Sequence, residues 1–193
     1  MNPLQSIIAT DLQLSAFLIS IRDAFTVKVF IGITWLGEIP TVLVLALAVS
    51  ILLWQSKKFL PIIALWITII GSESVTFALK LLLHRPRPLN AAILETSNSF
   101  PSGHATIAVA FYGFLAFLLL QKISRKLHRS LIITLTSIII LAIGFSRLYL
   151  GVHYLSDVLA GYLVGLTWLI IGIRLSSRDT STLPAKKQSS PTI

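Results

Sequence analysis

An all-α, polytopic membrane helix bundle is the fold class this sequence predicts, and three observations predict it. Five apolar stretches recur along the chain; charged residues make up only 12% of it against 55% hydrophobic; and the basic residues segregate between alternate joints. That balance lies outside the range of soluble domains.

Taken in order, the first element is the least regular. The apolar run at residues 12–21 is too short to span a bilayer and is followed by Arg22, Asp23 and Lys28. Residues 1–37 are therefore expected to form an N-terminal amphipathic segment with an interfacial or degenerate helix. No basic region precedes the run and no small-residue cleavage site follows it, which argues against a secretory signal.

The next five elements, residues 39–54, 60–79, 105–120, 131–145 and 154–173, are expected to be transmembrane helices. Two match the roughly 20 residues that span a hydrocarbon core, and the others do so once flanking polar residues extend them into the interface. Pro40 and Pro61 fall in first turns, where a missing N–H is tolerated, and Pro86 and Pro88 follow the second span. The membrane domain then covers residues 38–175. Residues 176–193, rich in Ser, Thr and Lys with Pro184 and Pro191, read as a disordered cytoplasmic tail.

Orientation follows from charge. Lys57, Lys58, Lys122, Arg125, Lys126, Arg129, Arg174, Arg178, Lys186 and Lys187, ten of the sixteen basic residues, share one side by alternation, which the positive-inside rule makes cytoplasmic. The net charge of +9 is thereby a topological signal, and no nucleic-acid partner is expected; the partner is the bilayer. Arg22, Lys28, Lys80, Arg85, Arg87 and Arg147 fall on the other side, where cations are scarce and call for a functional reason.

Three segments that alternation places on that side carry chemistry. They are Lys80 with Arg87-Pro88, the run Pro101-Ser102-Gly103-His104, and Ser146-Arg147 followed by His153 and Asp157. Lys80, Arg87 and Arg147 offer one point charge and two planar forks, which suit phosphoryl oxygens. Ser102-Gly103 stands where a helix starts, so a serine cap and free N–H groups could face an anion. On a helix, His153 and Asp157 share a face and make a nucleophile with its orienter. A continuous helix would turn Arg147 away from His153 by about 120°, so the chain should break around Leu150-Gly151. His104 is left to protonate the leaving oxygen. The absence of cysteine removes thiol nucleophiles and Cys-based metal sites.

Lys80-x6-Arg87-Pro88, then Pro101-Ser102-Gly103-His104, then Ser146-Arg147-x5-His153-x3-Asp157 resembles the three-part signature of the type 2 phosphatidic acid phosphatases. The resemblance extends over residues 38–173. It implies a membrane lipid phosphate phosphatase with His153 as nucleophile, Asp157 as its partner, His104 as acid, and Lys80, Arg87, Ser102, Gly103 and Arg147 as the phosphate cradle. No metal and no cofactor are implied. Expected substrates are undecaprenyl diphosphate, phosphatidic acid or phosphatidylglycerophosphate, attacked through a phosphohistidine at the extracytoplasmic face of a bacterial plasma membrane. Members of that family usually have a sixth membrane helix, which here is missing or reduced to the region of residues 12–35. The sequence leaves oligomeric state open.

Two other functions compete: a catalytically inactive lipid-binding membrane protein, and a phosphatase of a soluble phosphate ester. The intact His153, Asp157 and His104 set argues against the first; small loops argue against the second. The vanadium haloperoxidases use a similar cradle but are soluble and far longer. Outside the motifs, Glu73 should face the bundle interior, Glu38 should complement a helix dipole, and residues 90–100 should line the entrance with Glu95, Ser97 and Asn98. His84 and Arg85 adjoin the site, with accessory and bystander roles equally open.

Overall fold

The computed structural model describes residues 2–177. Its elements are α1 (Pro3–Ser20), α2 (Ala24–Thr34) with a 3-10 turn at Trp35–Gly37, α3 (Ile39–Gln55), α4 (Phe59–Leu83), α5 (Gly103–Leu120), α6 (Lys126–Tyr149) and α7 (Leu155–Ser176). All regular structure among the described residues is helical. The expected disordered tail lies, from residue 178 onward, outside them.

Four helices, α4 to α7, are each long and apolar enough to cross a membrane, and α2 with α3, bent by 45°, would make a fifth crossing. Five independent spans were expected, so the difference falls on the first. The contacts of α2 explain it: Thr26 Oγ1 meets Tyr149 Oη at 2.5 Å and Thr34 Oγ1 accepts from Arg147 at 2.8 Å, both partners in the last turn of α6. Helix α2 thus runs across the end of α6, and α3, about 25 Å long at 1.5 Å per residue, carries the crossing. Helix α1 packs beside it, with Leu18 buried against Leu148, Tyr149 and Val158.

Large apolar side chains such as Val44, Ile51, Ile70 and Leu163 point outward, while Thr68, Ser72, Thr76 and Thr106 are buried in the bundle, Thr68 against Gly172 of α7 and Thr76 bonded to Thr106 of α5. This is the order expected in lipid, where small and hydroxyl side chains let helices approach. Gly161 and Gly165, one turn apart on α7, face the carbonyls of Ser102 and Thr106, and any side chain there would collide with that backbone. The start of α5 is therefore pressed onto α7, which brings Gly103-His104 close to His153 and Asp157.

A break between α6 and α7 occurs where the sequence requires it. Helix α6 ends at Tyr149, and Gly151 takes φ +68°, a conformation glycine adopts without steric cost. Arg22 fastens this turn, its Nε donating to Tyr149 O and its Nη1 to Asn90 O, both at 2.6 Å.

Candidate active site

All three motif segments meet at one end of the bundle, around a cavity of about 490 Å³ lined by Lys80, Arg87, Gly103, His104, Arg147 and His153 together with Glu38, Glu73 and Glu95. Local sequence places each side chain. Lys80 lies in the last turn of α4, where its ammonium bonds to Asn98 O and Asn98 Nδ2 donates back to Lys80 O at 2.8 Å. Arg87 reaches from the α4–α5 loop to Ser97 O (2.8 Å), Ser97 Oγ (3.0 Å) and Val152 O (2.7 Å), so it ties that loop to the α6–α7 turn.

Arg147 is fully buried, bonded to Thr34 Oγ1 and to the Glu95 carboxylate. An unpaired buried guanidinium would cost several kcal/mol, and Glu95 compensates it. The same carboxylate stands 3.5 Å from Arg87, so Glu95 bridges Nη2 of the two arginines. Burial alone would raise the Glu95 carboxyl, but Arg147 and Arg87 more than offset it and hold the group below its ordinary range.

His153 is buried at 3% exposure, and burial, opposed by Asp157, pushes its pKa down from 6.5 to about 3. The ring is therefore neutral at neutral pH. Its Nε2 lies 3.3 Å from Arg87 Nη1; since a guanidinium only donates, Nε2 carries the lone pair and Nδ1 the proton. That proton faces Asp157 Oδ2 at 3.5 Å, an ion-pair distance rather than a closed hydrogen bond.

Asp157 is fixed from three directions. Oδ1 accepts from Arg85 at 2.5 Å, Oδ2 accepts from Tyr154 N–H at 2.8 Å, and its backbone carbonyl accepts from Ser102 N–H at 3.0 Å. One expectation needs correction here. His153 is not on a helix with Asp157: α7 begins at Leu155, and the two meet because Asp157, in the first turn, folds back over the helix start. The four-residue spacing does bring the pair within 3.5 Å, but through the turn before α7 and not along one helix face.

Ser102 is buried behind the cavity as the N-cap of α5, its Oγ facing Ala105 N–H at 3.5 Å, while Gly103 lines the cavity itself. His104 Nε2 stands 3.2 Å from Glu38 Oε1. Glu38, expected only to complement a dipole, is thus the partner of His104. It is set there by the Trp35–Gly37 turn, which Tyr112 Oη pins by donating to Leu36 O at 2.8 Å. A π-helical turn at Ala108–Tyr112 aims that tyrosine.

Buried polar atoms without a hydrogen bond include Glu73 Oε1, His104 Nε2, Arg147 Nε and His153 Nδ1, all on residues of this cavity. Unsatisfied groups of that kind are costly and are retained where a ligand completes them. Of the residues named from sequence, Lys80, Arg87, Gly103, His104, Arg147 and His153 line the cavity, and Ser102 and Asp157 support it from behind. Sequence reasoning underweighted Glu38 and Arg85 and missed Asp11, which Arg85 contacts at 2.8 Å.

Residues 61–181 match the PAP2 superfamily. Phosphatidylglycerophosphatase B of Bacillus subtilis is 30% identical over 167 residues, covering 86% of this chain and 81% of that protein. Among solved structures, the transmembrane PAP2 type phosphatidylglycerolphosphate phosphatase from Bacillus subtilis superposes with a TM-score of 0.83 at 27% identity, covering 96% of this chain and 90% of the other. Aquifex aeolicus LpxE gives 0.65 at 26%, covering 85% and 94%.

Proposed function

Because the chain belongs to the PAP2 superfamily, and is an integral membrane phosphatase of that type, we propose that its cavity hydrolyses a membrane lipid phosphate through a phosphohistidine on His153. The observation that carries this reading is the convergence of Lys80, Arg87, Arg147, His104 and a neutral His153 on one cavity. In the first step the Nε2 lone pair forms a bond to phosphorus while the ester P–O bond breaks. His104 gives its proton to the departing oxygen, and Lys80, Arg87 and Arg147 stabilise the charge spread over the phosphoryl oxygens. Water then attacks phosphorus, His104 takes its proton, and the N–P bond breaks to release phosphate.

Substrate enters by displacing Glu95 from the two forks. Phosphatidylglycerophosphate heads the candidates, because the relative matched over most of its length is a phosphatidylglycerophosphatase; phosphatidic acid and undecaprenyl diphosphate share the same chemistry. As the motif resemblance implies, the proposed reaction runs without a metal, and the EDTA arm of the test below decides the point. Residues 1–37 act as an interfacial segment laid over a membrane domain at 38–175, with the cavity extracytoplasmic and the chain in a bacterial plasma membrane.

Phosphate release by the purified protein from these three lipids, with EDTA present, is the test. Turnover should persist in EDTA, and rapid quench should trap an acid-labile, base-stable phosphoenzyme that disappears in His153→Ala. Trapped label or full activity in His153→Ala would falsify the nucleophile assignment. A tag inserted near Thr96 should be reachable from outside intact cells, and a reporter after Ile173 should be cytoplasmic; the reverse pattern overturns the orientation.

A further inference from the structure

We infer that Asp11 and Arg85 form a positioning chain that sets the tautomer and aim of His153 from behind, through Asp157, so that helix α1 completes the catalytic machinery. The inference rests on the nucleophile reading above and deepens it. Arg85 forks between two buried carboxylates: Nη1 donates to Asp157 Oδ1 at 2.5 Å and Nη2 to Asp11 Oδ2 at 2.8 Å. Asp11 is 2% exposed and Asp157 fully buried, so neither carboxylate has water as an alternative partner. Asp11 in turn accepts from Ser156 N–H at 3.0 Å and Ser156 Oγ at 2.5 Å, which fastens α1 to the first turn of α7. Tyr154 supplies a ring face 4.5 Å from the Arg85 guanidinium.

The geometry gives each link a task. Asp157 has two oxygens: Arg85 holds one and Tyr154 N–H the other, so the carboxylate cannot rotate and its Oδ2 stays aimed at His153 Nδ1. Arg85 is 25% exposed; its Nη1 also donates to Ser156 Oγ at 2.7 Å, and Nη2 has Asp11 as its partner. Asp11 is the second anchor. Neither Asp11 nor Arg85 lines the substrate cavity, so their work is on the nucleophile rather than on the phosphate. The charged side chains on the cavity side are Lys80, Arg87 and Arg147 with Glu38, Glu73 and Glu95. Asp11 lies outside the 61–181 match, so the anchor comes from the N-terminal helix and not from the matched segment.

The test uses full-length protein in detergent and p-nitrophenyl phosphate, whose leaving group needs little protonation, so that changes report on attack by His153 and not on His104. Arg85→Gln should lower kcat about 10- to 100-fold with KM within about threefold. Asp11→Asn should lower kcat in the same sense but less, and the double variant should be no worse than Arg85→Gln alone. The chain has four histidines, so 15N-histidine NMR can assign His153 by its loss in His153→Ala. A single Nδ1–H tautomer is expected in the wild type and a mixture in Arg85→Gln. Should Arg85→Gln not fold, Arg85→Lys decides, since it keeps the charge and loses the fork: a kcat loss of about tenfold at constant KM supports the chain, and wild-type kcat overturns it. Wild-type tautomer shifts in folded Arg85→Gln also overturn it. Activity surviving in His153→Ala would instead sink the nucleophile reading, so the two failures are distinguishable.

Discussion

Among the described residues the two ends of the bundle carry seven and six basic residues and use them in opposite ways. At the cavity end Arg147, Arg87, Arg85 and Lys80 are each bonded to named partners, and Arg147 is fully enclosed. At the opposite end Lys57, Lys58, Lys122, Arg125 and Lys126 are exposed, and Arg129, also exposed, ties off the end of α5 by donating to Leu120 O and Ile123 O. The difference teaches that cation count is uninformative and burial decisive. A guanidinium enclosed by protein requires an anion, and for Arg147 that anion is the chain's own Glu95 carboxylate.

The largest effect should come from breaking that distinction directly. Arg147→Ala removes one fork of the cradle and strands Glu95, and kcat/KM should fall about 10³-fold or more. Lys122→Ala and Lys57→Ala, at the other end, should stay within about twofold. Initial rates on the hydrolysed lipid, with folding checked by thermal melting, compare them. If Lys122→Ala proved as damaging as Arg147→Ala, the two ends would not differ in the way burial implies.

Glu38→Gln sharpens the comparison within the cavity end. Glu38 touches His104 and none of the three cradle cations at bonding distance, so its loss should weaken proton donation to the leaving oxygen. A drop of about tenfold on a lipid alkoxide and about twofold or less on p-nitrophenyl phosphate is expected. Equal drops on both esters would show Glu38 acting on something other than the leaving group.

How much of this was legible in the sequence divides along the same line. The motif cations and histidines, and the break at Leu150-Gly151, could be read because each depends on local spacing or on the alternation of sides. Residues 90–100 were placed at the entrance with Glu95, Ser97 and Asn98; Glu95 and Ser97 line the cavity, whereas Asn98 bonds to the backbone of Lys80. Glu38 with His104 and Asp11 with Arg85 are pairings between distant segments, and no periodicity within one chain encodes them. Helix α2 escaped notice for a related reason. Mostly apolar but carrying Thr26, Lys28 and Thr34, it reads as part of the interfacial segment, and only its contacts with the last turn of α6 show that it runs across the bundle end.

A depressed His153 also ties stability to pH. The folded protein holds the ring neutral down to about pH 3, while the unfolded chain takes up a proton near pH 6.5. Between those values the unfolded state binds more protons, so the contribution to stability is complete above about 6.5 and is lost as pH falls through that window. Melting temperature in detergent should drop by several degrees between pH 7 and pH 5, where about 2–4 °C corresponds to 1 kcal/mol for a chain of this size. The slope should flatten in His153→Ala, and an unchanged slope there would assign the pH dependence to other groups.

The smallest effect should come from Glu95→Gln, because it alters a competitor rather than a participant. In the ligand-free protein the Glu95 carboxylate is bonded to Arg147 and lies 3.5 Å from Arg87, so an incoming phosphate must first displace it. The amide keeps the shape and can still accept a hydrogen bond, but it has no charge to set against the two guanidinium groups. Phosphate should therefore bind more tightly, and inhibition by product phosphate should strengthen by about threefold, roughly 0.6 kcal/mol on the affinity scale. Because substrate and transition state gain alike, KM should fall in step while kcat changes little. A fall in kcat of tenfold with phosphate inhibition unaltered would mean that Glu95 takes part in the reaction itself and is not merely displaced from the cradle.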